Sequence, residues 1–132
     1  MRYLIDTTVL IPYFAGNQQA IDLIKQLLPD GVAVSILSYL EAYQGAIEEP
    51  DPEAAKRQFN AFFRGIPVLP VSPAVARRSA EIRSFLKKQG KSPRKRAFDL
   101  VIAATALEHG LEVVTHNTKD FQDIPNLVRY QW

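Results

Sequence analysis

The chain contains no cysteine and two histidines, His109 and His116. Disulfide frameworks and thiolate metal sites are thereby excluded, and so few nitrogen ligands disfavour a zinc site. His109 precedes Gly110 at an expected helix end, where a cation suits the dipole, so it reads as structural. The six glycines, Gly16, Gly31, Gly45, Gly65, Gly90 and Gly110, all stand alone. None belongs to a clustered loop of the kind that cradles nucleotide phosphates. No Ser-His-Asp order comes with a nucleophile elbow. No apolar run approaches the roughly 20 residues that cross a bilayer, so no membrane span is expected. The first expected strand begins at Arg2, which leaves no room for a signal peptide and fits a cytoplasmic location. Repeats, low-complexity stretches and long linkers are also missing, so residues 1–132 read as one domain.

What is present is the composition of an ordinary globular protein, 47% hydrophobic and 23% charged. The net charge of +2 hides an asymmetry. Between Arg77 and Arg96 stand nine basic residues and one acidic residue, Glu81, for a local charge of +8 against −6 over the rest. Such a basic stretch on an acidic body is the footprint of a polyanion partner, although a solvated helix face and a basic loop produce the same count.

The chain alternates short β-type runs with helical patterns. Arg2–Ile5 reads as a strand, followed by a short helix capped by Thr7 or Thr8 and ending near Gly16. Asn17 caps a second helix whose stripe is Ala20, Ile21, Ile24, Leu27 and Leu28, ended by Pro29-Asp30-Gly31. Val32–Val34 is a second strand. Helices follow over Ser38–Ile47 and Glu53–Arg64. Val68–Val71 is a third strand, short or at an edge because prolines flank it. Pro73 opens a long helix to about Gln89, Gly90–Lys95 is a basic loop, and Ala97–His109 is a nearly all-apolar helix stopped by Gly110. Leu111–Thr115 and Leu127–Tyr130 are the last strands. Tyr39, Tyr43, Phe59, Phe62 and Phe63 sit at spacings that pack inward, in the core or in a groove for a partner. The expected fold is therefore α/β: three layers, α/β/α, around a parallel sheet of four to five strands.

Ligands of such sheets bind outside the carboxyl ends of the strands. Four acidic residues fall there: Asp6 after the first strand, Glu41 after the second, Asp99 in the first turn of the apolar helix, and Asp120 after the fourth strand. Clustered carboxylates repel and resist ionisation when partly buried, and a divalent cation reverses that. An all-oxygen set suits Mg²⁺ or Mn²⁺. Each residue also has a structural explanation. Asp6 could cap the helix it precedes. Ser38 to Glu41 forms a capping-box sequence. Asp120 could be a turn residue. Asp99 is hardest to account for structurally, because an unpaired carboxylate one turn from Ile102 and Ala103 is costly, although Arg94 or Arg96 could pair with it.

Together these segments resemble a family. Leu4-Ile5-Asp6-Thr7-Thr8-Val9-Leu10 resembles the N-terminal signature of PIN domains. Asp99 to Ala106 resembles their third acidic motif, Val114 to Phe121 their last, and Glu41 stands in the place of the second. The order and spacing are those of VapC-type toxins. The resemblance implies a metal-dependent endoribonuclease of a toxin–antitoxin system, blocked by a cognate antitoxin and usually dimeric. It implies Asp6 and Asp99 as principal metal ligands, with Glu41 and Asp120 completing a catalytic acidic pocket. Thr7 would hydrogen-bond a carboxylate or a water of the site, and Asn117 would offer a polar contact. Lys91, Arg94 and Arg96 are expected to hold the RNA backbone as positive charge. Two positions depart from the pattern: Thr8 stands where serine or asparagine is common, and His116 where arginine is common. The first keeps a hydroxyl, and the second removes the guanidinium that the family pattern places there.

Two other readings use the same residues. One is a PIN-fold binding module without activity. The other is a metal-dependent phosphatase or phosphoryl-transfer domain with Asp6 as nucleophile. A dehalogenase-type phosphatase usually carries a second aspartate two residues on, where Thr8 stands.

Overall fold

A computed structural model of the protein describes residues 1–131. Four parallel strands, β1 (Tyr3–Ile5), β2 (Val32–Ser35), β3 (Val68–Leu69) and β4 (Glu112–Val114), lie in the order β3-β2-β1-β4. The chain builds outward from β1 through β2 to β3, then returns to place β4 on the other side of β1. The strand order thus reverses between β1 and β4, which opens a crevice at their carboxyl ends. The third strand is two residues long and lies at an edge, as its flanking prolines imply. The fifth strand expected over Leu127–Tyr130 is reduced to one parallel bridge, Arg129 against Val113.

Alternate residues of β1 point to opposite faces and define two cores. Tyr3 and Ile5 pack with α1 (Thr7–Phe14), α2 (Gln18–Leu27), α3 (Ile36–Ile47) and α4 (Pro52–Phe63). On that side Phe59 is fully buried and is ringed by Phe14, Tyr39, Tyr43 and Phe63 at centroid distances of 4.7–5.7 Å. The aromatics expected to pack inward do so. Leu4 packs on the opposite face with α5 (Pro73–Lys88) and α6 (Ala97–His109). The sheet is therefore covered on both sides, which explains why its strands read as continuous apolar runs.

Two helix starts differ from the sequence expectation. The first helix is capped by Asp6, whose side chain accepts from the Thr8 amide, not by either threonine. Helix α3 begins at Ile36 with Ser35 as its cap, so Ser38 already lies inside the helix. No capping box then occupies Glu41. Helix α6 buries residues around most of its circumference, including Leu100, Ile102, Ala103, Ala104 and Ala106. Gly110, at φ +66°, ends it in the left-handed conformation that a side chain resists. Among the described residues no helix is long and apolar enough to cross a membrane.

Candidate active site

The carboxyl end of β1 delivers Asp6 directly into the β1/β4 crevice. Its backbone amide donates to the Val114 carbonyl at 2.9 Å, tying the residue to the neighbouring strand. The side chain is almost wholly buried, 2% exposed. A carboxylate at that depth needs donors, and it has them. The hydroxyls of Thr8 and Thr115 donate to Oδ2 at 2.7 and 2.8 Å, and the Thr8 amide approaches the same oxygen at 3.4 Å. The Thr8 hydroxyl also accepts from the His116 amide at 3.0 Å, and the Thr115 hydroxyl accepts from the Asn117 amide at 2.9 Å. This lattice clamps the loop after β4 onto the first turn of α1. All three bonds accepted by the Asp6 side chain fall on Oδ2, and among the described residues none falls on Oδ1.

That cavity, of about 240 Å³, is lined by Asp6, Thr7, Thr8, Glu41, Asp99 and Phe98, with Lys95 and Arg96 at its side. Glu41 arrives from the second turn of α3, and Oε1 accepts from the Thr7 hydroxyl at 3.2 Å. The Thr7 hydroxyl also meets the Ser38 hydroxyl at 2.8 Å, so α1 and α3 are joined at the pocket rim. Asp99 arrives from the first turn of α6. Burial pushes its carboxyl up to about 6, and the charges of Asp6, Asp120 and Glu41 push the same way, against Arg96. Asp120 lies in the single turn Thr118–Asp120 after β4, outside the cavity lining but close enough to act on Asp99. Asn117 is exposed and does not line the cavity.

The basic residues divide into two groups. Arg96 does not pair with Asp99. Its guanidinium makes a double hydrogen bond to Asp123, at 2.9 and 2.7 Å, and also donates to the Asp120 carbonyl. Lys91 donates to the same Asp123 at 2.8 Å. The Arg96 guanidinium, reinforced by Lys91, holds the Asp123 carboxyl well below the usual carboxylate range. Arg94 lies instead in a separate basic cleft with Lys91 and Lys95. Asp123, Thr115 and Ser38 are the supporting residues that sequence reasoning missed. Each acts through a partner more than 25 positions away, a pairing that no local pattern encodes.

The donor set fits a hard divalent cation. Three carboxylates from three chain segments border one small cavity, all donors are oxygens, and a nearly buried Asp6 keeps one oxygen unspent. Asp99 resists ionisation because it is partly buried and faces other carboxylates, and a cation would supply the opposing charge. Among the described residues no three histidine or acidic side chains stand close enough together to hold an ion as they are placed. Carboxylates without a counter-charge repel one another, and that favours the open arrangement.

A parallel α/β/α sandwich with a carboxylate pocket at the switch between β1 and β4 is the architecture of a PIN domain. Residues 3–127 match the PIN domain family, and the chain belongs to it. The relatives narrow the kinship. The chain is similar to Ribonuclease VapC1 of Haemophilus influenzae strain R2866, 31% identical over 135 residues that cover 100% of this chain and 98% of that protein. Its fold resembles that of a chain in VapBC-1 from nontypeable Haemophilus influenzae, with 30% identity, a TM-score of 0.82 and coverage of 100% and 98%. It also resembles a chain of a toxin–antitoxin complex from Klebsiella pneumoniae, with 30% identity, a TM-score of 0.73 and coverage of 98% and 99%.

Proposed function

We propose that residues 1–132 act as one domain, a divalent-metal-dependent endoribonuclease and the toxin of a VapBC-type toxin–antitoxin pair. One observation carries this reading: Asp6 and Asp99, more than ninety positions apart, border the same small cavity together with Glu41. Asp6 and Asp99 are the residues to hold Mg²⁺ or Mn²⁺, and Glu41 and Asp120 complete the acidic field. When bound, such an ion supplies Lewis-acid activation of water and neutralises charge on the scissile phosphodiester.

The remaining work falls to the chain's own groups. Thr8 and Thr115 fix the orientation of Asp6 through Oδ2 and leave Oδ1 for the cation. Thr7 holds Glu41 against the helix from which it projects. A carboxylate not engaged with the cation is placed to accept the proton of the attacking water. Lys91 and Arg94 attract the RNA backbone without reading sequence. Arg96 contributes to that field while tied to Asp123, and Asn117 offers an exposed amide beside the pocket.

The partners are RNA, a cognate antitoxin and a second copy of the chain, in the cytoplasm. Ile36, Leu40 and Ile47 leave an exposed apolar row on α3, which supports a protein partner on that face. The phosphatase reading is weaker. At the position where it needs a second aspartate, Thr8 stands and is occupied as a donor to Asp6. The inactive-module reading is weaker too, because every acidic position of the pattern is filled.

A gel assay separates the three readings. The protein should cut structured RNA with Mg²⁺ or Mn²⁺, stop on addition of EDTA, and leave a phosphomonoester intact. Asp6→Asn should abolish cutting while the far-ultraviolet circular dichroism stays native. Wild-type cutting by that variant would reject the assignment.

A further inference from the structure

Phe98 stands one residue before Asp99 in the first turn of α6 and lines the acidic cavity beside Lys95. It is 48% exposed, although Leu100 and Ile102 on the same helix are fully buried. Among the described residues it makes no contact with another aromatic ring. Its exposure leaves a phenyl face at the rim of a polar pocket, where base stacking has a surface to use.

Beyond Lys95 lies a second cavity, of about 790 Å³, between α5 and the turn Pro93–Arg96. Arg83 and Lys87 face it from α5, and Arg94 and Lys95 from the turn. No acidic side chain lines it. Lys91 at its edge is held by Asp123, but the other four cations form no ion pair among the described residues. Lys95 lines both cavities, so the cleft and the acidic pocket adjoin at that side chain.

We propose that Phe98 and this cleft form one track for an unpaired RNA strand. Phe98 stacks a nucleobase beside the scissile phosphate, and Arg83, Lys87, Arg94 and Lys95 hold the adjoining phosphates. The track rests on the ribonuclease reading and deepens it. An acidic protein would satisfy the cations but would not need a bare aromatic face next to a hydrolytic pocket. The strand is unpaired because a base inside a duplex has both faces covered and cannot offer one to Phe98.

The test is fluorescence anisotropy with a labelled, unstructured RNA of about 12 nucleotides, in EDTA, over a range of salt. Phe98→Leu should weaken binding about 10-fold with the salt slope unchanged, and Phe98→Trp should keep wild-type affinity. The pair Arg83→Ala with Lys87→Ala should lower the slope of log K against log salt by about 1.4. Lys25→Ala with Arg57→Ala removes the same charge from α2 and α4 and should leave the slope in place. Duplex RNA should show no dependence on Phe98. Unchanged affinity of Phe98→Leu overturns the track, as does an equal fall in slope with the control pair. Dissociation of a dimer by Phe98→Leu in sedimentation also overturns it, by assigning Phe98 to a protein interface. Cleavage is scored separately with Mg²⁺ or Mn²⁺. Wild-type protein that binds in this pattern without cutting overturns the nuclease reading and leaves the track standing.

Discussion

Replacing Asp99 by asparagine should stabilise the metal-free protein while destroying its activity. The native fold raises the Asp99 carboxyl from 3.8 to about 6, first through burial and then through Asp6 and Asp120. The native state therefore binds that proton more tightly than the unfolded chain does. Stability contributed by the protonated form is present below about 4 and is lost as pH rises to about 6, above which the penalty is constant. At full value the shift corresponds to about 3 kcal/mol. Asp99 is only half-buried, so solvent screening reduces this to about 1 kcal/mol. Asparagine keeps the shape and removes the charge. In EDTA at neutral pH, Asp99→Asn should therefore melt about 3 °C above wild type. Excess Mg²⁺ should reverse the order, because a ligand at about 100 times its Kd adds about 2.7 kcal/mol to the protein that binds it. Differential scanning calorimetry with and without metal, alongside RNA cleavage, reads all of this. A variant less stable than wild type in EDTA, with an undiminished Mg²⁺ shift, would refute the reasoning and make Asp99 a structural ion-pair partner.

Three further outcomes are expected. Cleavage at limiting Mg²⁺ should fall about tenfold per pH unit below about 6, and more Mg²⁺ should move the break to lower pH, because proton and cation compete for the same carboxylate; kcat/KM profiles at two metal concentrations check it. Thr115→Val deletes the buried donor to Asp6 Oδ2 and strands the Asn117 amide, so it should cost about 1–3 kcal/mol in urea unfolding and raise the Mg²⁺ requirement about 10-fold or more. Asp123→Asn should free Arg96 to neutralise Asp99 and Asp120, raising the activating Mg²⁺ concentration about 10-fold; a second change, Arg96→Ala, should restore it in the same titration.

How far the sequence could be read follows from the range of the interactions involved. Periodicity and breakers are local, so the helices, the parallel sheet and the short edge strand β3 were all legible. The convergence of Asp6, Glu41 and Asp99 on one cavity was legible too, because β-α connections bring their turns to one edge of the sheet, whereas Asp120 falls outside its lining. Helix α6 shows the limit of that reading. Its all-apolar pattern announced burial and made Asp99 conspicuous, yet nothing local said whether Arg96 would neutralise it. That depended on Asp123, which lies 27 positions downstream of Arg96 and draws the guanidinium away.

Asp6 makes the same point from the other side. Capping and metal binding looked like rival explanations of one aspartate, and the structure makes them compatible. The cap, the Thr8 hydroxyl and the Thr115 hydroxyl all use Oδ2. The donors that make burial of the charge tolerable therefore also fix the direction of the other oxygen. An aspartate that merely capped α1 would need neither threonine hydroxyl nor such depth. Two hydroxyls 107 positions apart, one on the first turn of α1 and one on the loop after β4, suit the proposed role of Asp6, in which one carboxylate oxygen is held steady for a cation.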